Sequence, residues 1–214
     1  LAAPTGDQLK VFTGGSWSNF GGGGAFFRRA LEVLPNGDLI AGGAGPFFVG
    51  VSNPQVFDSV ARWNGTAWSD LGSGTAAKGG NILCGVEVPG GFVVAGQFTS
   101  LGGIAAKHAA LWNGTSWQAL GTGIPNGNRI VQIARRSNGE LIAIAVLNTF
   151  QSAVFRWNGT AWAQIPGLAA SAGGLAVLPN DDVVVGSGNA FWRWNGATWT
   201  SIGPIVGNLR VLRG

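Results

Sequence analysis

Along this chain, short runs of apolar β-formers alternate with clusters of Gly, Asn, Pro and Asp. Ala30 to Gly43 reads ALEVLPNGDLIAGG: an apolar run, a turn cluster, a second apolar run. The same pattern returns at Cys84 to Gln97 (CGVEVPGGFVVAGQ), Gln132 to Ala145 (QIARRSNGELIAIA) and Gly174 to Ser187 (GLAVLPNDDVVVGS). Each copy predicts a strand, a tight turn and a second strand, with turn residues at matching places. Apolar positions nowhere recur at helical spacing, and Pro or Gly interrupts every candidate helix.

A second repeated segment lies between these. RWNGTAW occurs at Arg62–Trp68 and Arg156–Trp162, LWNGTSW at Leu111–Trp117, RWNGATW at Arg193–Trp199, and a worn copy, VFTGGSW, at Val11–Trp17. Asn-Gly between apolar runs is the strongest short hairpin signal, since both residues tolerate positive φ. The flanking tryptophans fall where strands bury them.

Together the two segments make a four-stranded meander, A to D, repeating every roughly 40–50 residues, the period of a propeller blade. The expected fold is all-β: a single five-bladed β-propeller over 1–214, with blades near 25–72, 80–121, 128–166, 172–203, and 206–214 joined to 1–20. Leu1–Trp17 aligns without a gap on Val183–Trp199, which makes Leu1 the start of a B strand. The segment from Asn208 (NLRVLRG) reads as an A strand. A mixed blade, with strand A from the C-terminus and B to D from the N-terminus, is expected to close the ring and leave no free sheet edge. The alternative is a piece of a larger or tandem propeller; without methionine, Leu1 is expected to be a processed or trimmed start. Packed blades bury both faces of each sheet, which fits strands that are apolar on both sides.

The combination of ARWNGTAW and LPNGDLIAGG resembles kelch-like and delta-60-like secreted β-propeller repeat proteins, and the repeat region of fungal cortical polarity-marker proteins. The resemblance spans nearly the whole chain. It implies fold more than function, because one superfold hosts unrelated activities. The kelch-like double glycine after strand B survives as Gly42–Gly43, but Gly96–Gln97, Ile144–Ala145 and Gly186–Ser187 depart from it. Animal five-bladed lectins are an architectural parallel.

Charged residues make up 10% of the chain, against about 25% in ordinary soluble proteins, while 46% are apolar and 38 of 214 are glycine. This composition fits many short strands joined by glycine turns rather than disorder. The net charge is +4, but the 13 Lys and Arg are scattered, so no nucleic-acid partner is expected. Pro and Gly break the longest uncharged stretches, so no membrane insertion is expected. An extracellular or cell-surface location follows from the family resemblance alone.

The residues for most site chemistries are missing. Galactose-oxidase-type copper chemistry on a kelch-like propeller needs tyrosines and histidine ligands; the chain has no tyrosine and one histidine. A structural zinc site needs about four Cys or His ligands, and only Cys84 and His108 are present. His108 is expected at the surface or a strand end, and Cys84 as a small buried residue. Asp38, Glu140 and Asp181 fall in equivalent A–B turns, at or within a residue of one column, where turn formation explains them. No cofactor, metal or catalytic role is expected.

Aligning the A strands puts Glu32 beside Arg210 and Glu87 beside Arg135 on neighbouring blades. Two inter-blade ion pairs near the channel are expected, serving register or, alternatively, a polar ligand site. In the structural case, Glu87→Gln weakens folding rather than binding. Eight tryptophans of the WNG repeats are read as packing residues. Trp192 breaks the pattern and is the better candidate for an exposed or site-lining ring. The longest insertion, Gly45 to Asp58, is expected to expose Phe47 and Phe48 on a B–C loop. Three sequons (Asn64, Asn113, Asn158) coincide with the hairpin turns and mean glycosylation only in a secreting eukaryote. The reading that follows is a non-catalytic interaction scaffold binding a protein or polymer. The alternatives are a lectin with sugars between blades and, further off, a carboxylate-dependent glycan-active enzyme.

Overall fold

The computed structural model describes residues 2–5, 8–19, 30–43, 47–49, 55–57, 59–71, 81–168 and 171–204. Every regular element among them is a β-strand. An N-terminal sheet of three strands comprises β1 (Ala2–Thr5), β2 (Gln8–Thr13) and β3 (Ser16–Asn19). Sheet one is β4 (Ala30–Val33), β5 (Leu39–Gly42), β8 (Val60–Trp63) and β9 (Trp68–Asp70), with the hairpin β6 (Phe47–Val49)–β7 (Gln55–Phe57) between β5 and β8. Sheet two repeats this plan with β10 (Asn81–Val88), β11 (Gly91–Gln97), β14 (Ala109–Trp112) and β15 (Trp117–Ala119). Its inserted hairpin is β12 (Ser100–Leu101)–β13 (Ile104–Ala105). Sheet three is β16 (Gly127–Arg135), β17 (Leu141–Leu147), β18 (Ser152–Trp157) and β19 (Trp162–Gln164). Sheet four is β20 (Ala172–Val177), β21 (Val183–Ser187), β22 (Ala190–Trp194) and β23 (Trp199–Pro204).

All pairings are antiparallel, and equivalent residues pair alike in every sheet. Val33, Glu87, Arg135 and Val177 end near the A–B turns in one column: Val33 opposes Leu39, Arg135 opposes Leu141, Val177 opposes Val183 and Glu87 opposes Phe92. Those partners in turn oppose Trp63, Trp157, Trp194 and Trp112. The N-terminal sheet keeps the same register, Ala2 opposing Val11 as Val184 opposes Arg193. Strands β10, β16 and β20 begin before the first residue of the sequence pattern, and each carries a register shift, between Ile82 and Cys84, Ile130 and Gln132, and Gly173 and Leu175.

Successive sheets pack face to face. Alternate residues of each B strand serve two different cores. Ile40 joins Ile82, Phe92 and Val94 in the core between sheets one and two. Val93 and Ala95 join Leu141, Ala143 and Ala145 in the next. Ile142 and Ile144 then meet Val183 and Val185 of sheet four. Burial on both faces is why these strands are apolar without alternation. At about 25 cal/mol per Å² of apolar surface, these shared cores are the main stabilising term.

Three sequence expectations change. The WNG turn is a four-residue loop: Trp63 opposes Trp68, and Asn64 N–H donates to Ala67 O at 3.2 Å. Only the glycine has positive φ, 95° at Gly65. The asparagine instead acts through its side chain, Oδ1 accepting from Thr66 N–H at 3.0 Å, Thr66 Oγ1–H at 2.9 Å and Ala67 N–H at 2.9 Å. The Asn113 and Asn158 loops do the same, so Asn is there as an acceptor, not for its tolerance of positive φ. Second, the Gly45–Asp58 insertion contains a hairpin, with Phe47 opposing buried Phe57; of Phe47 and Phe48 only the backbone is described. Third, Trp17 is not buried: it stands 51% exposed against Phe12, ring centroids 5.2 Å apart. The turn acids lie within a residue of one column, as expected: Leu34, Arg136 and Leu178 donate their N–H to Asp38, Glu140 and Asp182, and Asp181 directly precedes Asp182.

Candidate functional site

The A–B turns determine what lies between neighbouring sheets. In sheet one the turn runs Leu34-Pro35-Asn36-Gly37-Asp38. Asn36 Oδ1 accepts from Asp38 N–H at 3.1 Å, and its Nδ2–H donates to Asp38 Oδ2 at 2.7 Å. The buried Asp38 carboxylate also receives Arg62 Nε–H at 2.7 Å from β8. Sheet four repeats this with Asn180, Asp182 and Arg193, the last at 2.5 Å. In sheet three Glu140 takes the acid's place and lies 3.8 Å from Arg156. The acid and the arginine of the RWNG motif are therefore partners within one sheet. Aligning the acids against the RWNG arginines was the signal available in the sequence. Sheet two lacks both: Leu111 replaces the arginine, and its shorter turn, Val88-Pro89-Gly90-Gly91, has no acid.

Between sheets three and four the turns are clasped. Arg136 Nε–H donates to Asp181 O at 2.9 Å, and its Nη1–H to Glu140 Oε2 at 2.7 Å. Its guanidinium carbon sits 5.3 Å from the Trp194 ring centroid, a cation–π distance. Asp181 Oδ1 accepts from Ser137 N–H at 2.7 Å, and Oδ2 from the Ser137 hydroxyl. The hydroxyl bond first, then the backbone bond, hold this carboxyl below the usual range. Asp181 itself has φ of 67°, which an aspartate adopts more readily than most residues.

Between sheets one and two the corresponding place is a groove of about 300 Å³. Leu34, Pro35 and Asn36 form one side, Gly90, Gly91 and Trp112 the other, and Asp38, Arg62 and Glu87 supply its charge. Leu34 stands where Arg136 stands in sheet three, Trp112 where Trp194 stands, and the sheet two turn lacks the counterpart of Asp181.

The sequence-predicted site residues separate as follows. Glu87 lines this groove and lies 3.8 Å from Arg135, their side chains 31% and 26% exposed. This is a loose, partly solvated pair across neighbouring sheets. Glu32 is half-buried in sheet one opposite Ile40, and its expected partner, Arg210, lies outside the described residues. Trp192 is not an exposed ring: it is partly buried against the core shared by sheets three and four. Cys84 is fully buried in the core between sheets two and three. His108 precedes β14, as a strand-end residue, but it is 4% exposed and has φ of 71°. Burial first, then nearby Lys107, lower its pKa to about 4, so the ring is neutral at physiological pH. Among the described residues no three His, Cys, Asp or Glu side chains gather as a metal-binding group.

The fold and this groove define a class: an all-β protein of tandem four-stranded antiparallel sheets packed face to face, with a ligand-sized cleft at one inter-sheet seam. The chain matches no protein-family model, and no curated protein matches its sequence.

Proposed function

We propose that this chain is a five-bladed, kelch-like β-propeller of the extracellular or cell-surface kind, and that it is a non-catalytic scaffold holding a protein partner at the groove between sheets one and two. The observation that carries this reading is the groove itself, produced by the one shortened, side-chain-poor A–B turn among four. The cleft combines apolar walls with a few converging charges, the usual make-up of a recognition site. The tryptophans that suggest sugar stacking are largely occupied with each other, as in the Trp112–Trp117 pair at 5.3 Å. Closure of the ring by residues 206–214 is supported by the N-terminal sheet, whose three strands keep the register of strands B to D. Deleting 206–214 is expected to abolish cooperative unfolding; an unchanged transition would count against the mixed blade.

Binding is tested with parallel peptide and glycan arrays, using the wild type and Pro35→Trp, which fills the groove from an exposed turn position. Peptide signals lost in Pro35→Trp support the proposal. A saturable glycan response with silent peptides would replace it with the lectin reading. Silence on both arrays would end the scaffold reading at this groove.

A further inference from the structure

The seam between sheets three and four contains, within the molecule, a model of what the groove between sheets one and two accepts. There, Arg136 of sheet three inserts its guanidinium between the turns, facing Trp194, the carbonyl of Asp181 and the Glu140 carboxylate. At the other seam the tryptophan and the turn acid of that frame are present without the insert, and without a counterpart of Asp181. Trp112 replaces Trp194 and is 9% exposed against 3%, as expected where no cation covers the ring. Asp38 replaces Glu140. Leu34 replaces Arg136 and turns to the apolar core instead. The groove has a further acid, Glu87, where sheet four has Val177 in the same register column. Its lining charges are Asp38, Glu87 and Arg62; Arg62 holds Asp38, while Glu87 pairs only loosely, with Arg135 of sheet three at 3.8 Å.

We infer that the groove between sheets one and two binds the guanidinium of an arginine side chain on a protein partner, in the position that Arg136 fills between sheets three and four. The inference rests on the interaction-scaffold reading and names the chemistry of its partner. Arginine fits better than lysine because its planar group lies flat on an indole while its N–H fork meets a carboxylate at two points. A neutral or acidic side chain brings no counter-charge to the loosely paired Glu87 carboxylate.

The test is a titration with acetyl-Gly-Arg-Gly-amide, its citrulline analogue and its lysine analogue, followed through the Trp112 indole N–H by NMR. The arginine peptide is expected to saturate. Citrulline, nearly the same shape without charge, is expected to bind about tenfold more weakly, and lysine to fall between. Leu34→Arg carries the guanidinium in from the protein's own turn and is expected to abolish peptide binding. Glu87→Gln, which keeps the shape, is expected to weaken it about fivefold. Equal binding of the arginine and citrulline peptides overturns the inference. If Pro35→Trp still blocks both, the scaffold reading survives. A folded Leu34→Arg with unchanged affinity also overturns the inference. If no peptide binds here and the peptide array is silent, both ideas fall.

Discussion

The two seams are built from the same repeat and end in opposite states. Between sheets three and four, a five-residue turn brings Asp181 over to Ser137 and Arg136, and the gap closes. Between sheets one and two, a turn one residue shorter ends in Gly90 and Gly91, and the gap stays open. The apolar cores beneath are equivalent, each built from alternate residues of a B strand. The difference lies mainly in the turns, with Glu87 and Leu111 of sheet two standing where sheet four has Val177 and Arg193. A repeat fold can fix its packing in the strands and leave the loops to decide which seam is a clasp and which a site.

The sharpest way to break the comparison is to empty the clasp. Arg136→Leu gives the closed seam the leucine that the open one has at Leu34. It removes a cation–π contact and two charge-assisted bonds, one to Glu140, whose side chain is 14% exposed. The expected cost is about 3 kcal/mol in chemical denaturation, because a largely buried carboxylate loses its nearer partner. A cost below about 1 kcal/mol, the value of a surface pair, would show that the clasp holds nothing.

Acid is the next probe. His108 precedes β14 of sheet two, at the end of that strand away from Trp112 and the groove. Its folded pKa of about 4 lies below the ordinary 6.5, so the unfolded chain takes up a proton first as pH falls. Stability is full above pH 6.5 and is lost as the pH drops toward 4, by about 2 kcal/mol at pH 5. His108→Asn tolerates the positive φ and does not titrate, so its stability is expected to stay level between pH 7.5 and 5. An unchanged slope in that variant would assign the acid sensitivity elsewhere. The Asp181 carboxyl, held low by Ser137, loses its contribution only at more acid pH, as pH falls through its folded value.

Much of this architecture was legible because it is written once per repeat. The WNG and LPNGD segments gave the strand order, and the aligned A strands put Glu87 next to Arg135 across a seam. What could not be read depended on single-residue differences in turns. The paired acid is Asp182 rather than Asp181 because the hydrogen bonds from Asn180 select the final turn residue. The Asn of the WNG loop works through its side chain, which composition alone does not distinguish from conformational tolerance. Trp192 looked exposed because it breaks the repeat, yet it fills space against a core its equivalents leave to smaller residues. The groove was invisible for a related reason: it is made by missing atoms in sheet two's turn, and a sequence shows a shortened loop without showing what then stands open.

A graft sharpens the comparison at a smaller scale. Sheet two lacks both the turn acid and its arginine, so supplying Pro-Asn-Gly-Asp in place of Pro89-Gly90-Gly91, together with Leu111→Arg, rebuilds the pair that Asp38 and Arg62 make. Leu111→Arg alone should destabilise, since Leu111 is partly buried against the core of sheets two and three. In the double-mutant cycle the two changes are expected to couple by about 1 kcal/mol. Additive effects would mean that the acid and arginine coexist in the other sheets without supporting each other.

The smallest expected effect concerns Glu87. From sequence, Glu87→Gln was expected to weaken folding if the inter-sheet pair serves register. The geometry predicts the reverse weighting: at 3.8 Å from Arg135, with both side chains more than a quarter exposed, the pair contributes only about 0.5 kcal/mol or less. The same carboxylate lines the groove, and among the described residues its only ion-pair partner is that loosely held Arg135. Glu87→Gln should therefore leave the denaturation midpoint nearly unchanged while weakening the arginine peptide. Measuring both on one preparation separates the roles. A large stability loss with binding intact would return Glu87 to the fold and leave Asp38 and Trp112 as the groove's remaining claim on a cation.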